Sequence, residues 1–379
     1  MSTSSGTSPI ALSIGIMAWN EESSLPVMLD SLFRQTLFAR LAERGERCEI
    51  VCLANGCTDR TVPVTEDIFR RQREDHRDAA GFHAWVADIK EPGRNNAWNR
   101  FVHELSAREA RYICLMDADI VFHEPDTLEQ VFNALERNPK LLAASDWPVK
   151  DIAFKEHKSL RDRVSLSTSD MTGSIPGRLN GQLYCIRSGI ARNLYLARDM
   201  IANDDGFFKA VITTHFLTAP ADPAKTVSIA SARHLFEPYL KLSDVLNNQK
   251  RQMIGQTTVH VLIAYLQTLP VEERLDLAET LRRHEARDPD WLKKLIAAHI
   301  QRERFFWRIF PDALTFRWRR WAQLPLGRRI SHFPAAAAGF LVTLIACYRA
   351  RRFLTGGVAN FWPKAARQSI LAASSANAK

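Results

Sequence analysis

Asp117 and Asp119 close the run YICLMDAD and are the two carboxylates in this chain whose spacing points most directly to chemistry. Residues i and i+2 of an extended segment project the same way, about 6 to 7 Å apart, so both can face one dication or its water shell. Oxygen ligands of this kind suit hard cations, which makes Mg2+ or Mn2+ the expected metal. The preceding residues, Tyr112 to Met116, are a short apolar run that reads as a covered strand. Asp288 and Asp290 have the same spacing but follow no strand-like run, so no function is assigned to them.

A carboxylate pair is useful only where the fold presents it to a ligand. Strands are predicted over Ile10–Trp19, Cys48–Ala54, Phe82–Asp88 and Tyr112–Met116. A helix begins at Ser23 or Ser24, with Pro26 in its first turn and Leu25, Met28, Leu29, Leu32 and Phe33 at helical spacing, and ends at Gly45. Further helices are expected over Thr61–Gln72 and Asn95–Ala107. Strands that are apolar throughout and alternate with helices predict an α/β fold, a mostly parallel sheet with helices on both faces. Ligands of such sheets bind beyond the carboxyl ends of the strands. Three more polar loops should therefore meet Asp117 and Asp119: Ala18–Glu22, Ala54–Thr61 with Thr58 or Asp59 as helix cap, and Asp88–Asn99.

Composition places limits on the rest. At 379 residues and 46% hydrophobic, the chain has room for one large core and a second, smaller unit. Residues 1–9 are small and polar, which predicts a disordered leader, and no Lys or Arg precedes Arg34, so no secretory signal is expected. The six cysteines match no paired zinc-ligand spacing and read as buried thiols in a reducing compartment. The net charge of +9 is unevenly placed: thirteen basic residues stand against two acidic ones between Trp291 and Arg352, a net +11 that leaves about −2 elsewhere.

The chain is accordingly divided into the leader, a sheet domain over 10–240, and a helical, basic, aromatic-rich region over 241–379. Trp291, Trp307, Trp318 and Trp321, interleaved with arginines, fit helices lying in a bilayer interface with cations toward anionic lipid. Pro334–Tyr348 is apolar but shorter than the roughly 20 residues of a spanning helix, so a monotopic or re-entrant segment is preferred to a full span. A basic helical bundle packed on the sheet domain is the remaining arrangement. The expected location is the cytoplasmic face of a cell membrane. Near the polar loops the basic residues are Lys90, Arg94 and Arg100, too few for a nucleic-acid groove.

Four segments together resemble family 2 glycosyltransferases of the GT-A fold: MAWNEE (Met17–Glu22), ANGCTDRT (Ala54–Thr61), GRNNAWN (Gly93–Asn99) and Asp117-Ala118-Asp119. They occur in the family's order and cover roughly residues 10 to 125. The resemblance implies an inverting, metal-dependent transferase that moves a sugar from a nucleoside diphosphate sugar to a lipid-linked or polysaccharide acceptor at a membrane. It implies nucleotide-sugar binding by Asn20, Glu21, Asn55, Asp88, Arg94, Asn99 and Asp117, and metal binding by Asp117 and Asp119. Arg178–Arg192 resembles the acceptor-side segment. Asn203-Asp204-Asp205-Gly206 stands where the family has Glu-Asp, which makes Asp205 the catalytic base and puts Asp204 in the place of the Glu.

This sequence also departs from the family. Ala54 replaces the carboxylate that contacts the nucleotide base, leaving Asn55 or Asp88 as substitutes. Arg94 replaces a Lys, keeps the charge and can hold phosphate bidentately. Gln249–Gln252 lacks the Trp of the processive motif, and acceptor choice falls to loops such as Ser165–Leu183. Two other classes compete with this reading. A non-catalytic, basic membrane-peripheral protein is disfavoured by the intact DAD and DDG. A sugar nucleotidyltransferase would open on a glycine-rich, lysine-containing phosphate loop, which AWNEE is not.

Overall fold

The computed structural model describes residues 8–75, 81–159, 162, 166, 177–239, 241–303, 306–310 and 313–355. The leader up to residue 7, most of the loop from Ser165 to Leu183 and the stretch after 355 lie outside them.

Eight strands form one sheet: β1 (Ile10–Ala18), β2 (Arg47–Asn55), β3 (Phe82–Ile89), β4 (Tyr112–Asp117), β5 (Val121–Phe122), β6 (Ala143–Lys150), β7 (Leu183–Arg187) and β8 (Thr226–Phe236). Their order is β3-β2-β1-β4-β7-β6-β8-β5. The β3-β2-β1-β4 half is parallel, as the uniformly apolar strands predict. The other half is mixed: β7 runs antiparallel to β4 and β6, β8 parallel to β6, and β5 antiparallel to β8. Register levels the carboxyl ends, with Met17 opposite Asp117, Ala18 opposite Ala54 and Ala54 opposite Asp88. The loops after β1 to β4 therefore leave the sheet along one rim.

Helices cover both faces. On one lie α1 (Leu25–Phe33), α2 (Leu37–Glu43), α3 (Thr61–Asp75) and α5 (Thr127–Arg137), which bury Leu29, Leu41, Phe69 and Phe132 against the sheet. The single helix expected between Leu25 and Gly45 is thus two, because the chain turns at Gln35 and Thr36, where Thr36 N–H donates to Pro125 O at 2.8 Å. On the other face lie α4 (Arg94–Arg100), prolonged by a wider turn over Phe101–Leu105, then α6 (Ser188–Ala191) and α7 (Asp204–Thr213). Glu49, buried in β2, is matched by donors from Ser13 Oγ, Trp85 Nε1 at 3.2 Å and Ala107 N–H at 2.8 Å, as an enclosed carboxylate requires.

Every described element after Lys241 is a helix: α8 (Leu242–Leu266), α9 (Val271–Leu275), α10 (Leu277–Arg287), α11 (Trp291–Arg302), α12 (Phe306–Ile309), α13 (Ala313–Ala322) and α14 (Leu326–Thr355). The first of these continue the sheet domain's own core, since Ile254, Leu262, Leu281, Leu292 and Ile300 share one apolar cluster with Phe207 and Phe208. Trp291 belongs here and not to a bilayer interface: its ring packs 5.8 Å from Tyr265 and 5.0 Å from His284. Pro334–Tyr348 is the middle of α14, and among the described residues no helix is long and apolar enough to cross a membrane.

Candidate active site

A cavity of about 740 Å3 opens above the level strand ends, a size suited to a small ligand. Glu21, Asn55, Arg94, Asn99, Asp117 and Asp119 all line it, so the loops after β1, β2, β3 and β4 do meet. Asn20, Asp88, Asp204 and Asp205 are not part of its wall.

Several of the expected binding residues build the loops themselves. Asn20, in left-handed backbone with φ 55°, accepts from Thr58 N–H at 2.8 Å and donates to Thr58 Oγ1 at 3.2 Å. Glu21 N–H donates to Thr61 Oγ1 at 2.8 Å. Asp59 accepts from Thr61 N–H at 2.9 Å, the expected cap of α3, and from Glu22 N–H at 3.2 Å. The loop after β1 is thereby fastened to the loop after β2. Asn55 Oδ1 in turn accepts from Gly93 N–H at 2.9 Å, which ties the β2 loop to the start of α4. Gly56 lies between them at φ 64°, and a Cβ there would fall 2.6 Å from Pro92 Cβ, so the close approach requires glycine.

Two expected contacts are placed differently. Asp88 is on the outermost strand, exposed and 2.5 Å from Lys90 Nζ, away from the cavity it was expected to serve. Asn99 reaches the cavity wall, but both ends of its amide engage Leu196, donating to its O at 2.8 Å and accepting from its N–H at 3.0 Å. Asn95 donates similarly to Ala197 O at 2.8 Å and Met200 O at 2.6 Å. This pair of amides straps the 196–200 loop onto α4.

Arg94 stands at the centre. Its guanidinium donates to Asp117 Oδ1 at 2.6 Å and to Gly181 O at 3.1 Å, and lies 3.6 Å from Asp204 Oδ2. Burial works against its charge, yet the carboxylates of Asp117 and Asp204 hold its pKa above the ordinary arginine value. Asp204 Oδ2 is itself buried without a hydrogen bond among the described residues. Asp204 and Asp205 open α7 just after Asn203, which adopts φ 68°. Burial, reinforced by the neighbouring Asp204, pushes the Asp205 carboxyl up to about 6, while Gly206 N–H, Arg178 and Arg94 oppose the rise. Arg94 thus links the carboxylate at the end of β4 to the acidic pair of α7.

Among the described residues no three His, Cys, Asp or Glu side chains converge as a self-contained metal site. Asp117 and Asp119 both lie on the cavity wall.

Sequence reasoning missed the residues that close the cavity from the other side. Tyr195, Arg198, Arg251, Arg282 and Glu285 line it, the last three from α8 and α10. Tyr195 OH donates to Glu285 Oε2 at 2.9 Å, and the Arg282 guanidinium lies 5.5 Å over the Tyr195 ring. Burial, with help from Arg282, lowers His103 to about 4, so the imidazole beside this group is neutral at physiological pH. Arg251 Nε is buried with no hydrogen-bond partner among the described residues. Gln249–Gln252 was the only sequence signal near any of them. A buried Asp146, 2.5 Å from His234 Nδ1 and 3.3 Å from Asn180 Nδ2, was missed as well.

A level parallel rim bearing Asp117 and Asp119, joined to a mixed half-sheet, defines a GT-A fold. Residues 13–185, a little under half of the chain, match the family model described as Glycosyl transferase family 2, the family whose motifs they resemble. A mannosyltransferase from Pyrobaculum calidifontis, solved with GDP-Man and Mn2+, is similar in structure: 16% identity, 92% of this chain and 89% of that one covered, TM-score 0.51. Residues 1–349 of TarS from S. aureus are a weaker likeness, with 13% identity, 92% of this chain and 92% of that fragment covered and TM-score 0.43. Glucosyl-3-phosphoglycerate synthase from Mycobacterium tuberculosis, solved with Mn2+, UDP-Glc and phosphoglyceric acid, has 13% identity, 69% and 81% coverage and TM-score 0.43. No curated protein matches the sequence significantly.

Proposed function

We propose that this chain is an inverting, metal-dependent glycosyltransferase that moves a sugar from a nucleoside diphosphate sugar to a lipid-linked or saccharide acceptor at a membrane surface. The observation that carries this reading is the Arg94 bridge, which sets Asp117 and Asp204 against one guanidinium, with Asp205 next along α7. GDP-Man in the similar mannosyltransferase supports a nucleotide-sugar donor.

The donor set fits a hard cation. Two carboxylate oxygens plus substrate phosphate are the usual complement of Mg2+ or Mn2+ in such sites, and Asp117 and Asp119 would hold it. When bound, the ion neutralises charge on the departing diphosphate. The other roles fall to the chain's own residues. Arg94 supplies a fixed positive charge and a planar fork suited to phosphate. The loops fastened by Asn20, Glu21 and Asn55 shape the nucleotide side of the cavity. Asp205, with a carboxyl near 6, is ionised at neutral pH yet basic enough to take the acceptor hydroxyl's proton. One in-line displacement then inverts the anomeric carbon without a covalent intermediate.

A thermal-shift screen of nucleoside diphosphate sugars with and without Mn2+ tests the reading. A ligand that binds only the native state raises the melting temperature. A metal-dependent rise with one donor is expected, and no rise with any donor would overturn the proposal.

A further inference from the structure

α14 is apolar on two separate faces. On one, Thr343, Ala346, Cys347 and Ala350 are buried, and the helix packs against α8 and α13. On the other, Leu326, Ile330, Phe333, Leu341, Leu344 and Tyr348 are 73%, 73%, 48%, 60%, 41% and 59% exposed. Their spacings keep them on a single stripe, and at 1.5 Å per residue that stripe is about 33 Å long. Water-facing surfaces seldom leave so much apolar area uncovered.

Charge and aromatic placement identify what covers it. Exposed Arg351 and Arg352 follow Tyr348 at the C-terminal end of the stripe. Trp318 of α13, 47% exposed, packs at a tilt 4.8 Å from Trp321, whose ring is 5.8 Å from Phe333. Apolar side chains flanked by tryptophans and arginines match the depth profile of a bilayer interface, and the eight arginines, with no acidic residue, between Ala313 and Arg352 favour anionic headgroups. No described helix qualifies as a span, which leaves the in-plane orientation.

We infer that α14 lies in the plane of an anionic bilayer, with the Leu326–Tyr348 stripe toward the acyl chains and Arg351 and Arg352 at the headgroups. This deepens the proposed transfer at a membrane surface and rests on it for its purpose. α14 packs on α8, and α8 supplies Arg251 to the cavity, so docking sets the orientation of the cavity to the lipid surface.

The test uses the full chain, because a truncation near Pro270 would strip Leu281, Leu292 and Ile300 from the core. Flotation with phosphatidylcholine vesicles, with and without about a third phosphatidylglycerol, is compared for wild type, for Ile330→Glu with Leu344→Glu, and for Arg351→Gln with Arg352→Gln. Wild type should float with the anionic vesicles, and brominated lipid should quench its tryptophan fluorescence. The Glu pair should lower partitioning by about tenfold or more, and the Gln pair should weaken binding to the anionic vesicles alone. Wild-type flotation by the Glu pair, or no vesicle binding by wild type, overturns the inference. So does a dimer that the Glu pair dissolves in the absence of any vesicle binding, since a second copy would then be the occupant. Donor affinity measured without vesicles separates the two readings: flotation without donor binding sinks the transferase and leaves the docking surface standing.

Discussion

Arg94 and Asp117, 23 residues apart in the chain, are joined by a 2.6 Å ion pair across the carboxyl ends of the parallel strands. The same guanidinium holds Gly181 O and faces Asp204, so one side chain touches the carboxylate at the end of β4, the segment before β7 and the acidic start of α7. In the proposed function, donor side and acceptor side would therefore be mechanically connected through Arg94.

Arg94→Ala should lower both donor affinity and transfer, the latter by roughly 10² or more, because a phosphate partner and the Asp117–Asp204 bridge are lost together. Stability should fall by about 2 kcal/mol as half-buried carboxylates lose a charged donor. Arg94→Lys keeps the charge but cannot span three acceptors, and it should recover only part of the rate. Calorimetric donor titration alongside steady-state kinetics measures the split. Wild-type kcat/KM in Arg94→Ala would remove Arg94 from the site.

Asp119→Ala takes a carboxylate from a half-exposed turn outside the core, so melting should be unchanged while Mn2+-dependent donor binding disappears. Titrating donor with and without Mn2+ reads this directly. Unaltered Mn2+ dependence would assign the cation to other residues.

Asp205→Asn should leave donor affinity within about threefold and reduce transfer by roughly 10² to 10⁴, the usual loss of a general base. In the native enzyme the neutral carboxyl dominates below about 6, so the rate should fall close to tenfold per pH unit beneath that value. Stability runs the opposite way. A folded pKa raised from 3.8 means the native state binds this proton more tightly, so the group's stabilising contribution is complete below 3.8 and is lost as pH climbs through about 6. Asn, uncharged at every pH, should therefore leave the neutral-pH melting temperature unchanged or slightly raised. A pH–rate profile identical to wild type in Asp205→Asn would move the base elsewhere.

Gly255→Ala probes how the helical region supports the site. A Cβ on Gly255 of α8 would come within 2.7 Å of Ala202 O, one residue before Asn203 and the Asp204–Asp205 pair. Overpacking there should cost about 1 to 3 kcal/mol and push α7 from its place, lowering transfer more than donor binding. Thermal melting and the kcat against KM comparison check this. Normal transfer with normal melting would mean that α8 packs there more loosely.

The parallel half of the sheet and the position of Asp117 at a strand end were legible because they depend on local patterns. Apolar runs of five to nine residues, each followed by a polar loop, mark β1 to β4 and the rim where their loops meet. The antiparallel β7, the strapping of Leu196 by Asn99 and the outward place of Asp88 were not legible. Each depends on which distant backbone a side chain meets, and an amide that binds substrate has the same spelling as one that binds Leu196.

The C-terminal region divides along the same line. By itself the sequence determined its helical character, its +11 charge and its load of aromatic residues. Only the tertiary structure decided that Trp291 and α11 belong to the core, that α8 and α10 bring Arg251, Arg282 and Glu285 to the cavity, and that the outward face of α14 runs from Leu326 to Tyr348. The physical reason is that the apolar residues of α14 fall on more than one face, so no single periodicity marks a buried side. Which face meets protein is settled when α8 and α13 pack against it, and whatever remains apolar is left for another partner.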